Sequence, residues 1–208
     1  MRLKDKVAIV VGGGQQRGET TGNGRAVALR FAEEGATVLV VDKNFMSAQD
    51  TVEMIEKEGG LASALGADIT VEAQCQAIAS VCVERYGRID ILHNNVGMSQ
   101  GDRPTPEIDM ASWDMLFDMN LKGMVMTCKH VLPVMREQRS GVILNVSSTS
   151  SISARWEQNH RSGVAYKTSK GAVNTFTHHL AVENAEFGIR ANAILPGLMD
   201  TPMAIERR

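Results

Sequence analysis

The sequence predicts an α/β protein in which a doubly wound parallel sheet of six strands carries helices on both faces. Three observations predict this class. Six short apolar runs recur along the 208 residues, stretches with helical spacing of apolar residues separate them, and several runs end directly on glycine or on a polar residue. Continuous apolar runs indicate strands that are buried on both faces. Regular alternation of such strands with helices indicates parallel pairing.

The strands and helices can be placed in order along the chain. The apolar runs predicted to form strands are 7–11, 37–41, 61–65, 89–93, 142–146 and 189–195. Helical spacing predicts helices at 22–34, 47–58, 71–86, 107–135 and 163–187. Pro133 is expected to kink or end the fourth of these helices. Residues 1–208 are therefore predicted to form a single domain around one sheet.

Composition excludes several classes of function. With 43% hydrophobic residues the chain can bury a large core, and its formal net charge of −2 includes no basic stripe, so nucleic acid is not expected as a partner. Cys75, Cys82 and Cys128 form no Cys-x-x-Cys pair, so no metal site is expected. Residues 2–6 are largely charged, and no apolar run approaches about 20 residues. We therefore expect a cytoplasmic protein without a signal peptide or a membrane span.

A glycine-rich turn joins the first strand to the first helix. The strand ends on Gly12 and Gly14, and the helix begins at Gly22, Asn23 and Gly24. Such a turn lets the backbone approach a pyrophosphate, and the helix N-terminus offers N–H groups to it. Glycines that only tighten the turn are the alternative. Gly12 and Gly22 lie ten positions apart, so the spacing departs from Gly-x-Gly-x-x-Gly.

Asp42 ends the second predicted strand. An acid at this position would accept hydrogen bonds from both hydroxyls of an adenosine ribose and would repel a 2′-phosphate, which favours NAD over NADP. Lys43 and Arg17 keep NADP open, since either could pair with a phosphate. An aspartate at the end of a strand can also be a simple turn residue.

Tyr166 and Lys170 are four residues apart at the start of a predicted helix, so both lie on one helix face. A cation within hydrogen-bonding range favours the phenolate, and the pair could therefore donate and accept a proton. Taken alone, such a pair can also be an exposed tyrosine beside a solvated lysine.

With these motifs, the sequence from Leu3 to Met203 resembles the short-chain dehydrogenase/reductase family. Further matches are Asp68-Ile69, Asn94-Asn95-Val96-Gly97, Asn120, Ser147-Ser148, and Pro196-Gly197 followed by Thr201. The resemblance implies a Rossmann fold and an oxidoreductase that transfers a hydride between NAD(H) and a secondary alcohol or ketone. An NADPH-dependent carbonyl reductase and a catalytically silent NAD-binding protein are the alternatives. A homodimer or homotetramer is implied as well.

The resemblance also implies roles for individual residues. The implied cofactor-binding residues are Gly12, Gly14, Gly22, Asn23, Gly24, Asp42, Asp68, Ile69, Asn95, Gly97, Tyr166, Lys170, Met199 and Thr201. Tyr166 would exchange the proton, Lys170 would bond the nicotinamide ribose, and Ser148 would orient the substrate oxygen. Ser147 is the alternative for that serine. Asn120 would hold a water that links Lys170 to solvent, or would be a buried amide that kinks its helix.

The sequence departs from the family pattern at three places. Residues 15–21 interrupt the glycine turn. Ser148 and Tyr166 are 18 positions apart, so the extra polar segment 154–161 should border the substrate, with His160 at its rim rather than in catalysis. The sequence ends at Arg208, where the family continues into a substrate lid and a seventh strand. We therefore expect a shortened version of a longer protein, one that binds NADH but turns over slowly.

Overall fold

A sheet of six parallel strands organises the fold. The computed structural model describes residues 1–15, 18–153 and 163–202. The strands are β1 (Val7–Val11), β2 (Thr37–Asp42), β3 (Leu61–Gly66), β4 (Ile91–Asn94), β5 (Gly141–Val146) and β6 (Ile189–Ile194). They pair in the order β3-β2-β1-β4-β5-β6, and every pairing is parallel. The doubly wound α/β class predicted from the sequence is confirmed.

Helices cover both faces of the sheet. They are α1 (Asn23–Glu33), α2 (Phe45–Lys57), α3 (Glu72–Tyr86), α4 (Met110–Phe117), α5 (Gly123–Gln138) and α6 (Val164–Glu183). Ile9 of β1 belongs to the core shared with α3, α5 and α6, whereas its neighbour Val10 belongs to the core shared with α1 and α2. Successive residues of β1 thus point to opposite faces, which explains why the strand is apolar throughout.

The prediction of one helix at 107–135 is wrong in detail. Helix α4 begins only after Asp109, whose Oδ2 accepts a hydrogen bond from Ser112 N at 3.0 Å. A π-helical turn at Asp118–Lys122 separates α4 from α5. Helix α5 then passes through Pro133 to Gln138, so Pro133 does not end it. Pro133 is exposed, and water can therefore satisfy the carbonyl that loses its N–H partner.

The three cysteines lie in the core as free thiols. Burial raises the pKa of Cys75 to about 11 and that of Cys82 and Cys128 to about 12. Thiols that stay protonated at neutral pH are poor nucleophiles and poor metal ligands. Within residues 1–15, 18–153 and 163–202, no helix is both long and apolar enough to cross a membrane.

One histidine is buried in the middle of the sheet. His93 of β4 is 2% exposed, and neither ring nitrogen has a hydrogen-bond partner among the described residues. Its ring meets Phe31 edge-on, with 6.1 Å between the centroids. Burial alone lowers the pKa of His93 to about 4. The folded protein therefore holds this imidazole neutral.

This burial predicts a pH-dependent free energy of unfolding. Between the ordinary histidine pKa of 6.5 and about 4, the unfolded chain binds a proton at His93 that the folded chain does not. Stability should therefore fall as pH falls through this window, by roughly 2 kcal/mol at pH 5. His93→Leu should remove this component from urea unfolding curves recorded at several pH values. The exposed His178 provides the matched control, His178→Leu. An unchanged pH slope in His93→Leu would contradict the assignment.

Candidate active site

A cleft of about 2100 Å³ opens at the carboxyl ends of the strands. Parallel sheets bind ligands where the strand order reverses, which here lies between β1 and β4. The cleft exceeds the range of about 300–1,000 Å³ that is usual for a single small ligand. It therefore has room for a long ligand such as a dinucleotide together with a second molecule.

The start of α1 approaches the turn after β1 very closely. A Cβ placed on Gly24 would lie 1.8 Å from the Gly12 carbonyl oxygen, so only glycine fits. Gly12 itself has a φ of +75°, and its carbonyl accepts a hydrogen bond from Asn95 Nδ2 at 3.2 Å. Helix α1 has no acidic residue in its first turn. The positive end of its dipole therefore faces the cleft without a compensating carboxylate of its own.

Gln15 connects the two ends of the segment that interrupts the glycine turn. Its side chain accepts a hydrogen bond from Gly22 N at 2.8 Å and donates one to Thr20 O at 3.0 Å. Its backbone is fixed to α2, because Ser47 Oγ accepts from Gln15 N and donates to Gln15 O. These bonds hold the start of α1 against β1 although the usual glycine spacing is lost.

Asp42 lies at the end of β2 and lines the cleft. Its carboxylate accepts hydrogen bonds from Gly14 N at 3.1 Å and Asn44 N at 3.0 Å. Lys43 pairs with Asp68, with 2.7 Å between Nζ and Oδ2, and this contact contributes most to lowering the pKa of Asp68 to about 2. This lysine is therefore already paired. Arg17, the other candidate partner of a phosphate, lies outside the described residues.

Lys170 is buried beside Tyr166 on α6. Its side chain is 2% exposed, and Nζ lies 5.9 Å from the centroid of the Tyr166 ring. Nζ donates to Val146 O at 2.8 Å and to Val96 O at 3.5 Å. No carboxylate in the described ranges pairs with it. Burial lowers the pKa of Lys170 to about 8. An ammonium with so little solvation interacts strongly with any negative charge that forms nearby.

The two serines after β5 differ in their contacts. Ser147 is buried and its Oγ donates to Lys170 O at 2.9 Å. Ser148 Oγ accepts from Ser150 N at 3.1 Å, and no acceptor for its own proton lies among the described residues. Both serines line the cleft. The free hydroxyl proton favours Ser148 over Ser147 as the donor to a substrate oxygen.

Asn120 is fully buried in the π-helical turn and does not line the cleft. Its Oδ1 accepts from Met98 N at 2.7 Å, and its Nδ2 donates to Met98 O at 2.9 Å and to Ser169 Oγ at 3.1 Å. The side chain thus connects the loop after β4 to α6 and has the contacts of a structural amide. Its proposed link to a water beside Lys170 stays a prediction.

The cleft gathers all the cofactor-binding positions expected from the sequence. Its lining includes Gly12, Gly14, Gly22, Asn23, Gly24, Asp42, Asp68, Ile69, Asn95, Gly97, Tyr166, Lys170, Met199 and Thr201. These positions come from the ends of five strands and the starts of two helices. Within the described part of the chain, no group of three His, Cys, Asp or Glu residues could hold a metal ion.

Comparison with known proteins agrees with this geometry. The family model described as short chain dehydrogenase matches residues 6–208. The chain belongs to the short-chain dehydrogenase/reductase family. Levodione reductase from Leifsonia aquatica is 35% identical over 204 residues, which span 97% of this chain and 72% of that protein.

Two solved structures extend the comparison. NAD+-bound xylitol dehydrogenase is 30% identical with a TM-score of 0.89, and the match covers 100% of this chain and 75% of that chain. A 7 alpha-hydroxysteroid dehydrogenase complexed with NADH and 7-oxo glycochenodeoxycholic acid is 31% identical with a TM-score of 0.88, covering 99% and 75%.

Some expectations for this protein fall on residues that the structure does not describe. They concern Arg17, the polar segment 154–161 with His160, and the end of the sequence at 203–208. The roles expected for these residues stay predictions.

One acidic residue of the cleft is not apparent from the sequence. Asp102 lies in the loop after β4, lines the cleft and is 6% exposed. Its carboxylate accepts hydrogen bonds from Ala165 N and Tyr166 N, at the start of α6. A capping residue is usually sought directly before a helix, where this chain has Gly163. No local sequence signal points from the loop to a helix more than sixty residues away.

Proposed function

We propose that the protein is an NAD-dependent oxidoreductase that moves a hydride between NAD(H) and a secondary alcohol or ketone. Proteins to which the chain is similar include a levodione reductase and a xylitol dehydrogenase. The observation that carries the proposal is the buried Lys170 beside Tyr166, with no carboxylate partner in the described ranges, in a cleft long enough for a dinucleotide.

The residues at the other end of the cleft fit such a cofactor. The first turn of α1 would offer N–H groups to a pyrophosphate. Because Gly24 and Gly12 have no side chains, a pyrophosphate could come close to the backbone there. Asp42 would accept hydrogen bonds from the adenosine ribose, with Asp68 and Ile69 beside the adenine. Met199 and Thr201 would face the nicotinamide amide. Nicotinamide supplies the hydride acceptor or donor.

The chain's own residues would handle the proton and the substrate oxygen. In the oxidative direction the phenolate of Tyr166 takes the hydroxyl proton, and in the reductive direction the phenol returns it. The charge of Lys170 stabilises the phenolate, and burial strengthens this effect. The Ser148 hydroxyl would donate a hydrogen bond to the oxygen that becomes the carbonyl. Asn120 and Ser169 hold the helix that carries this pair against the loop after β4.

Asp42 should make the enzyme prefer NADH to NADPH by at least about tenfold, or about 1.4 kcal/mol. A 2′-phosphate would face its carboxylate, and the nearby cation Lys43 is already paired with Asp68. Asp42→Ala should reduce the preference for NADH over NADPH, mainly by weakening the binding of NADH. Dissociation constants of both cofactors, measured by nicotinamide fluorescence, check this, with Lys43→Ala as the control. Equal or tighter binding of NADPH to the unaltered protein would show the proposed preference to be wrong.

Two alternatives have the same fold. An NADPH-dependent carbonyl reductase differs in cofactor preference, and a silent NAD-binding protein differs in turnover. A panel of secondary alcohols and ketones, offered with each cofactor and followed by NADH or NADPH absorbance, separates the three. Binding of NADH without turnover of any substrate would favour the silent protein.

Two further parts of the proposal concern assembly and location. We propose a homodimer or homotetramer in which α5 and the helical run before it pack, together with α6, against their symmetry mates, since symmetric association is the rule among oligomers. We also propose the cytoplasm as its location, which the free, buried cysteines support.

A further inference from the structure

The loop after β4 satisfies the first backbone N–H groups of α6. Val164 N donates to Arg103 O at 3.1 Å, Ala165 N to Asp102 Oδ1 at 3.0 Å, and Tyr166 N to Asp102 Oδ2 at 2.7 Å. The first residues of a helix have no partner inside the helix for these groups. One dipeptide of a distant loop therefore provides three of the acceptors that the helix needs.

The contact between Asp102 and the helix is close and protected. A Cβ on Gly163, the residue before α6, would lie 2.0 Å from Asp102 Oδ2, so the carboxylate occupies the space that a local capping side chain would need. Asp102 Oδ1 also accepts from Arg103 N at 2.9 Å. Among the described residues no basic side chain forms an ion pair with this carboxylate, so its bonds are directed to backbone N–H groups.

Such bonds are stronger than ordinary capping bonds. A carboxylate that accepts from backbone N–H groups at a helix N-terminus forms charge-assisted hydrogen bonds and interacts favourably with the helix dipole. One of the two bonds to α6 ends on the backbone of Tyr166, the residue whose side chain would move the proton. Asp102 thus fixes the backbone N–H of Tyr166, and helix α6 fixes the spacing between Tyr166 and Lys170.

We propose that Asp102 is a positioning residue for Tyr166. Its carboxylate holds the first turn of α6 so that the phenol stays in register with Ser148 and the substrate oxygen. The proposal rests on the proposed function. It adds Asp102 to the residues on which turnover depends. The placement of the phenol then depends on the loop after β4, which also lines the cleft.

Two substitutions of Asp102 test the role. Asp102→Ala removes all acceptors of the side chain, whereas Asp102→Asn keeps one oxygen and the shape. A small misplacement of a reacting group can lower the rate by roughly a hundredfold, so kcat should fall by about tenfold or more in Asp102→Ala and by less in Asp102→Asn. The NADH dissociation constant and the substrate KM should stay close to those of the unaltered protein. If Asp102→Ala does not fold, Asp102→Asn carries the comparison.

The matched control is Asp109→Ala. Asp109 caps α4 through the same kind of bond, to Ser112 N at 3.0 Å, but lies outside the cleft. The Asp109→Ala variant should lose protection against amide exchange at the start of α4 and keep the kcat of the unaltered protein. Amide hydrogen exchange should rise at 164–166 in the Asp102 variants and at the start of α4 in the control.

The outcomes separate this proposal from the proposed function. Turnover of the unaltered protein is measured first, and its absence with every substrate and both cofactors would count against the proposed function alone. In that case the exchange at 164–166 still decides whether Asp102 holds Tyr166. With an active protein, a kcat of Asp102→Ala equal to that of Asp109→Ala would overturn the positioning role. So would unchanged exchange at 164–166 in the Asp102 variants.

Discussion

Replacing Tyr166 by phenylalanine should lower kcat by roughly 10²–10⁴-fold, the usual contribution of a general acid or base, and leave NADH binding almost unchanged. Tyr166 lines the cleft, and its aromatic ring remains in the variant. Only the hydroxyl that would exchange the proton is lost. Steady-state kinetics with the best substrate of the panel, together with NADH titration, measure the two quantities separately.

The chain provides a matched control for this experiment. Tyr86 is its other tyrosine, lies outside the cleft, and bonds Ser63 Oγ through its own hydroxyl at 2.5 Å. Tyr86→Phe removes the same atom and should retain activity. Lys170→Ala should damage both turnover and NADH binding, since that side chain would serve the phenol and the nicotinamide ribose together. Activity of Tyr166→Phe within a few-fold of the unaltered protein would exclude Tyr166 as the proton-transferring group.

Gly24→Ala should produce the second large effect, a loss of NADH binding together with a lower melting temperature. The new Cβ would lie 1.8 Å from the Gly12 carbonyl oxygen and 2.7 Å from Asn95 Nδ2. The first contact is with backbone, so α1 must move away from β1. Overpacking typically costs about 1–3 kcal/mol, and here the displaced helix is also the one that would bind the pyrophosphate.

Gly22→Ala is the matched control for that substitution. It lies two residues earlier in the same turn, and a Cβ there would approach only the Gln15 side chain, at 3.7 Å. That distance is an ordinary van der Waals contact, and the φ of −69° suits alanine. NADH dissociation constants and thermal unfolding curves should therefore separate the two variants. Equal losses in both would show that the close approach of α1 to β1 is not what matters.

The parts of the site that could be predicted from the sequence are those set by local order along the chain. A buried strand that ends on a polar residue places that residue at the edge of the sheet, which is how Asp42 was placed. Residues four apart on a helix share a face, which is how Tyr166 and Lys170 were paired. In each case the chain itself fixes the distance.

The parts that could not be predicted depend on contacts between distant segments. Asp102 meets a helix that begins more than sixty residues later, and only the folded chain shows that Gly163 leaves room for its carboxylate. The π-helical turn at Asp118–Lys122 contains no glycine or proline, so the sequence carries no breaker that would mark it. The sequence shows His93 only as one residue of a strand, whereas its burial depends on contact with Phe31 of α1.

The side chain of Gln15 ties the inserted segment at its two ends. Its amide bonds Thr20 O and Gly22 N, while its backbone is bonded to Ser47. The start of α1 is therefore held by Gln15 and not by the number of residues that follow it. Motif searches that require a fixed number of residues between glycines will overlook chains of this kind.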